Sequence, residues 1–73
     1  MGKSIRTKEY QNFAQKLKRA RVQSGLTQVQ VSRKLKRPQS YISKAEAGEQ
    51  RLDIVELRRF AELYKKSINY FVK

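Results

Sequence analysis

The sequence predicts an all-α domain of five short helices. Apolar residues recur every three or four positions, helix-start signals stand at Thr27 and Asp53, and Gly25 and Gly48 each follow a predicted helix. Such spacing puts apolar side chains on one helical face, short polar side chains cap helix starts, and glycine favours helix ends. The 73 residues suffice for one domain with a single small core. We expect a flexible basic arm over residues 1–7 and the helical domain over residues 8–73.

The first predicted helix spans Lys8 to Ser24, and Gly25 ends it. Its apolar positions are Tyr10, Phe13, Ala14, Leu17 and Ala20. They keep the spacing of an amphipathic helix, so we expect this face to lie in the core.

Two further helices follow, separated by a tight basic turn. Thr27 and Gln30 form a capping-box pattern at the start of the first, which presents Val31 and Leu35 to the core and turns Ser32 away from it. Pro38 interrupts the chain and is suited to the first turn of the next helix, Pro38 to Ala47. In that helix Ile42 and Ala45 face inward. The side chains left for solvent or a ligand are Gln39, Ser40, Tyr41, Ser43 and Lys44.

The fourth helix begins after Asp53, which caps it together with Glu56, while Leu52 packs onto Leu57. Ser67 caps a last short helix, Ile68 to Val72. The inward positions of the fourth helix are Ile54, Leu57, Phe60, Ala61 and Tyr64. In the last helix Ile68 and Phe71 close the core.

Composition excludes several classes of protein. The chain has no cysteine and no histidine, so we expect no disulfide, no metal site and no histidine-dependent catalysis. Its three glycines are too far apart to form a phosphate-binding loop, so we expect no cofactor and no enzyme activity. No apolar run approaches the roughly 20 residues of a membrane span, and the start of the chain lacks the apolar core of a signal peptide. We therefore expect a cytoplasmic protein, associated with the nucleoid and without a membrane partner.

The net charge favours a polyanionic partner. Lysine and arginine number 18 against 6 acidic residues, which gives +12, and Glu9 is the one acidic residue before Glu46. A polar helix presented by another helix across a short turn can lie in the major groove of DNA. An ordinary solvated helix face explains the same residue types equally well, so composition alone leaves both interpretations open.

Four motifs follow one another along the chain: GLTQ at 25–28, RPQSYISK at 37–44, Glu46 with Gly48, and RLDIVEL at 51–57. Together and in this order they resemble the Cro/C1-type helix-turn-helix family of phage repressors and restriction-modification controllers. The resemblance implies a compact five-helix fold of the lambda-repressor type. The sequence departs from the family pattern at Lys36 and Lys65, where glycine is usual, and at Ala45, where the family commonly has a larger apolar residue. A left-handed cap without glycine costs about 1 kcal/mol, so the two lysines either bear that cost or lie in turns of a different shape.

The resemblance also implies site residues. Gln28 caps its helix against a DNA phosphate, and Arg37 and Arg51 contact phosphates. Arg21 and Glu46 form a structural, partly buried ion pair. The residues implied at bases or nearby phosphates are Gln39, Ser40, Tyr41, Ser43 and Lys44.

We therefore expect a sequence-specific regulator of transcription, a repressor that binds a palindromic double-stranded operator as a homodimer. The aromatic cluster of Tyr64, Tyr70 and Phe71 is the expected dimer surface, unless all three rings simply complete the monomer core. No small-molecule effector is implied. The alternative is a small helical interaction module, an antitoxin or adaptor, whose DNA binding is secondary. An RNA binder or a membrane-surface peptide fits the charge but lacks a stacking platform or a long amphipathic basic helix.

Overall fold

The computed structural model describes residues 7–72, and all five elements in that range are α-helices. They are α1 (Lys8–Gln23), α2 (Gln28–Leu35), α3 (Gln39–Glu46), α4 (Ile54–Tyr64) and α5 (Ile68–Val72). The predicted all-α, five-helix architecture is confirmed. Within the described part of the chain, no helix is long and apolar enough to cross a membrane.

The predicted arm lies mostly outside the described residues. Thr7, assigned to the arm, is instead the N-cap of α1, and its hydroxyl oxygen accepts the backbone N–H of Tyr10 at 3.1 Å. The hydroxyl satisfies one of the helix's otherwise unpaired N–H groups, so Thr7 takes part in the helical structure.

Two helices start with the predicted capping boxes. Thr27 accepts the N–H of Gln30 at 3.1 Å while the Gln30 side chain accepts the N–H of Thr27 at 2.8 Å, and Asp53 and Glu56 repeat the arrangement on α4. The start of α3 differs from the prediction. Pro38 is the N-cap, not the first helical residue, because its ψ of 152° is still extended, and no side chain caps this helix.

Lys36 and Lys65 end α2 and α4 in the left-handed conformation. Their φ angles are 57° and 58°. In each turn the following backbone N–H donates back to the helix, from Arg37 to the carbonyl of Ser32 and from Lys66 to the carbonyl of Ala61, both at 2.9 Å. These bonds satisfy carbonyls at the helix end, so both lysines adopt the strained geometry that glycine adopts freely.

All five helices contribute to one core. Its largest fully buried side chains are Phe60, Phe71, Leu17, Ile42 and Val31.

Two predictions of which side chains face the core were wrong. Ile54 is 59% exposed because it is the first residue of α4, where the preceding Leu52 packs against the core instead. Ser32, which was expected to face away from the core, is buried. Its hydroxyl donates a hydrogen bond to the carbonyl of Val29 at 2.7 Å.

The aromatic residues near the C-terminus pack mainly within the core of a single chain. Tyr64 and Phe71 are 3% and 2% exposed, and Tyr70 is half-buried against the ring of Phe71, with 5.0 Å between ring centroids. Two of the three rings proposed as a dimer surface are therefore enclosed in a single copy of the chain. This removes the aromatic cluster as an argument for dimerisation through that end.

Candidate nucleic-acid interface

The outer face of α3 carries four of the five side chains expected to contact bases or nearby phosphates. Gln39, Ser40, Ser43 and Lys44 are all exposed, whereas Ile42 and Ala45 are fully buried. At about 100° per residue the four exposed positions fall within an arc of about 140°. The helix therefore presents amide, hydroxyl and ammonium groups together on one side, and it is anchored by the other.

Tyr41 belongs to a different environment from those four. Its side chain is half-buried, and its ring stacks on Phe60 of α4 with 6.2 Å between centroids and 15° between planes. Burial, together with the hydrogen bond and the charge of Glu56, raises the pKa of the Tyr41 phenol. The structure thus places Tyr41 between α3 and α4, at the edge of the exposed face.

Arg37 lies in the turn before α3 and is directed toward α4. Its side chain is 45% exposed, and one terminal nitrogen, Nη2, is 3.9 Å from Oε2 of Glu56. The guanidinium carbon is 5.4 Å from the centre of the Tyr41 ring. The arginine therefore projects a positive charge beside the first turn of α3, with an aromatic ring beneath it and a carboxylate at its side.

A buried ion pair connects the end of α3 to α1. The Nε of Arg21 donates to Oε2 of Glu46 at 2.6 Å, and its Nη2 donates to Oε1 at 3.2 Å. A third arginine donor, Nη1, reaches the carbonyl of Leu26 at 2.9 Å. Only 13% of the Arg21 side chain and 3% of the Glu46 side chain are exposed. Arg21 therefore links α1 both to the end of α3, through Glu46, and to the turn between α1 and α2, through Leu26.

Gln28 joins this ion pair through its side chain. As the first residue of α2 it is half-buried, and its amide nitrogen donates to Oε1 of Glu46 at 3.0 Å. The resemblance assigned this residue to a DNA phosphate, and the structure adds a bond to α3. The start of α2 and the end of α3 are consequently linked through Glu46.

The hydroxyl group of Tyr64 lies close to the same ion pair. The oxygen is buried, and among the described residues it has no hydrogen-bond partner. Burial first, and then the charge of Glu46, raise the pKa of this phenol. The Tyr64 hydroxyl is therefore a polar group that folding removes from water without a compensating hydrogen bond from the described residues.

Tyr10 and Gln11 of α1 hold the loop that follows α3. The Tyr10 hydroxyl donates to the carbonyl of Gln50 at 2.8 Å and accepts the N–H of Leu52 at 3.1 Å. The amide of Gln11 donates to the carbonyl of Gly48 at 3.3 Å. Arg51 lies exposed on this loop, between the two residues that Tyr10 contacts.

Sequence reasoning treated Tyr10 as a core residue only. A buried tyrosine usually finds a partner for its hydroxyl, so a tyrosine at an apolar helix position signals a polar contact of this kind. That signal does not identify the partner, which here is 40 residues away along the chain. The bond to the loop could therefore be found only in the structure.

The described residues offer little to a metal ion. They contain no group of three or more histidine, cysteine, aspartate or glutamate side chains able to hold one. The carboxylates of Glu46, Asp53 and Glu56 instead bond to arginine or to helix-start N–H groups. The polar chemistry of this surface is hydrogen bonding and positive charge.

Comparison with known families agrees with this geometry. Residues 12–67 match the family described as a helix-turn-helix domain, and the match covers more than half of the chain, from within α1 to the residue before α5. The protein belongs to the helix-turn-helix domain family. A search of curated proteins finds no match. Membership of this family indicates DNA binding with a regulatory role.

Proposed function

We propose that the protein is a sequence-specific, double-stranded-DNA-binding regulator of transcription of the Cro/C1 type that acts as a repressor. The observation that carries this proposal is the exposed polar face of α3, with Gln39, Ser40, Ser43 and Lys44 on one side of a helix whose other side is buried. A helix of this width fits the major groove, where base edges present distinct patterns of donors and acceptors. The protein then acts in the cytoplasm, at the nucleoid.

In this proposal α3 reads the bases. Gln39 stands at the front of the helix, where residues of a recognition helix approach base edges, and its amide can pair with adenine through two hydrogen bonds. Ser40 and Ser43 add short donors and acceptors, and Lys44 supplies a cation for guanine or for a nearby phosphate. Tyr41, half-buried against Phe60, supports the start of the helix and contacts DNA only with its outer edge.

Phosphate contacts hold the helix in register. Arg37 precedes α3 and Arg51 follows it, so the two cations bracket the recognition helix along the chain. Gln28 contacts a phosphate at the start of α2 while its side chain stays bonded to Glu46. Contacts of this kind add affinity and orientation without reading sequence.

The regulator binds a palindromic operator as a homodimer. Two copies related by a two-fold axis would place their α3 helices in successive major grooves, with half-sites about one turn of DNA apart. Occupation of a promoter by such a dimer represses transcription by excluding other proteins. In this proposal the concentration of the protein, or a partner, controls occupancy of the operator.

The decisive experiment starts with selection of bound duplexes from a random-sequence DNA pool. The selected duplex and a scrambled duplex are then titrated at two salt concentrations. We expect a palindromic sequence, a preference of about 10³-fold or more over the scrambled duplex, and binding that weakens steeply with salt. Equal binding to every duplex would contradict sequence-specific regulation and would favour the interaction module, an antitoxin or adaptor with secondary DNA binding.

A further inference from the structure

Glu56 is positioned to affect the phosphate contacts at the start of α3. Its Oε1 accepts the N–H of Asp53 at 3.0 Å, which fixes the carboxylate at the first turn of α4. Its Oε2 is 3.9 Å from Nη2 of Arg37, and only 22% of its side chain is exposed. A half-buried negative charge therefore stands beside a cation that precedes the recognition helix.

The carboxylate of Glu56 attracts the guanidinium group of Arg37 but occupies none of its hydrogen-bond donors. A separation of 3.9 Å is too long for a hydrogen bond, and a guanidinium group carries five N–H donors. Arg37 also rests over the Tyr41 ring, which limits the directions that its side chain can take. The guanidinium can consequently still bond to a phosphate, but that phosphate must approach a carboxylate at the same time.

We propose that Glu56 competes with DNA phosphate for Arg37 and so lowers the affinity of the protein for every duplex, whatever its sequence. The inference rests on the proposed DNA-binding function. Phosphate contacts supply nearly all of the affinity for non-specific DNA. A carboxylate at this position repels the phosphate and holds the arginine in the free protein, and both effects weaken binding. Glu56 thereby offsets part of the sequence-independent attraction that the net charge of +12 gives the protein toward any duplex.

The test substitution is Glu56→Gln, which removes the charge and keeps a side-chain oxygen. Glutamine serves as well as glutamate at the third position of a capping box, so the start of α4 should be retained, and a thermal melt verifies this. The matched control is Glu62→Gln, an exposed carboxylate on the same helix that gives the same change in net charge. Each variant is made in the wild-type chain and in an Arg37→Gln background, and each is titrated with selected and scrambled duplexes at low salt.

We expect Glu56→Gln to tighten binding to both duplexes by about 3- to 10-fold, and Glu62→Gln to tighten it by less than about 2-fold. In the Arg37→Gln background, the gain from Glu56→Gln should fall to that of the control. Equal effects of the two variants in the wild-type chain, or weaker binding by Glu56→Gln, would overturn the inference while leaving DNA binding intact. A wild-type protein with no salt-dependent binding to any duplex would instead overturn the proposed function, and this inference with it.

Discussion

Removal of the Glu46 carboxylate should destabilise the domain far more than removal of an exposed carboxylate. Glu46 accepts three hydrogen bonds, two from Arg21 and one from Gln28, and its side chain is 3% exposed. Glu46→Ala leaves the Arg21 guanidinium group only 13% exposed, with its hydrogen bond to the carbonyl of Leu26 retained. Such a buried charge without its partner costs about 3–5 kcal/mol.

That loss is large for a chain of this size. At about 0.05–0.15 kcal/mol per residue, the free energy of unfolding lies at about 4–11 kcal/mol. Urea denaturation followed by circular dichroism measures the change, and with a slope of about 1 kcal/mol/M the midpoint should fall by about 3–5 M. Glu49→Ala, which removes an exposed carboxylate in the adjoining loop, is the control and should change stability by less than about 0.5 kcal/mol.

A second variant separates the ion pair from general damage to the fold. Arg21→Met combined with Glu46→Ala removes both charges, so the double variant should be more stable than Glu46→Ala alone. If Glu46→Ala cost less than about 1 kcal/mol, or if the two substitutions were additive, the pair would not be the link between α1 and α3 that we describe. Should Glu46→Ala fail to fold, recovery of a cooperative transition in the double variant makes the same distinction.

Three further predictions concern single side chains. Tyr10→Phe loses both hydrogen bonds to the loop after α3 and should lower the free energy of unfolding by about 1–2 kcal/mol in a thermal melt; unchanged stability would remove Tyr10 as the support of that loop. Tyr64→Phe makes the same chemical change where the hydroxyl has no partner among the described residues, and it should stabilise the domain by about 1 kcal/mol, whereas a loss would indicate a bond to that oxygen. Burial raises the pKa of Tyr64 in the folded chain, so above about pH 10 the phenol ionises more readily in the unfolded chain and the free energy of unfolding falls. Tyr64→Phe should therefore also reduce the loss of stability in alkaline urea titrations. Lys65→Gly relieves a left-handed residue and should add about 0.5–1 kcal/mol, which a lower midpoint would contradict.

Local signals in the sequence were sufficient to predict the helices. Capping at Thr27 and Asp53 depends on side chains three residues away, and the inward positions of α1 follow from spacing alone. The same reasoning identified the exposed face of α3, because burial of Ile42 and Ala45 determines which positions remain outside. Contacts within one helix can therefore be predicted from the sequence.

Contacts between helices were harder to predict from the sequence. Tyr41 was expected beside the other exposed residues of α3, but Phe60 of α4 covers one face of its ring, and helical spacing gives no indication of such a neighbour. The bond between Tyr10 and the loop, and the approach of Glu56 to Arg37, likewise join residues far apart in sequence. These tertiary contacts determine how the predicted site residues are held, and only the folded chain reveals them.

The most direct test of the central claim is the base specificity of Gln39. Gln39→Ala and the control Gln15→Ala, which truncates an exposed glutamine on α1, are titrated against the selected duplex and every single-base-pair variant of it. We expect Gln39→Ala to cost about 1–3 kcal/mol on the selected duplex and to bind all four base pairs equally at one position of each half-site, with Gln15→Ala unchanged. A uniform loss on all duplexes, with every base preference retained, would contradict the proposal that α3 reads DNA.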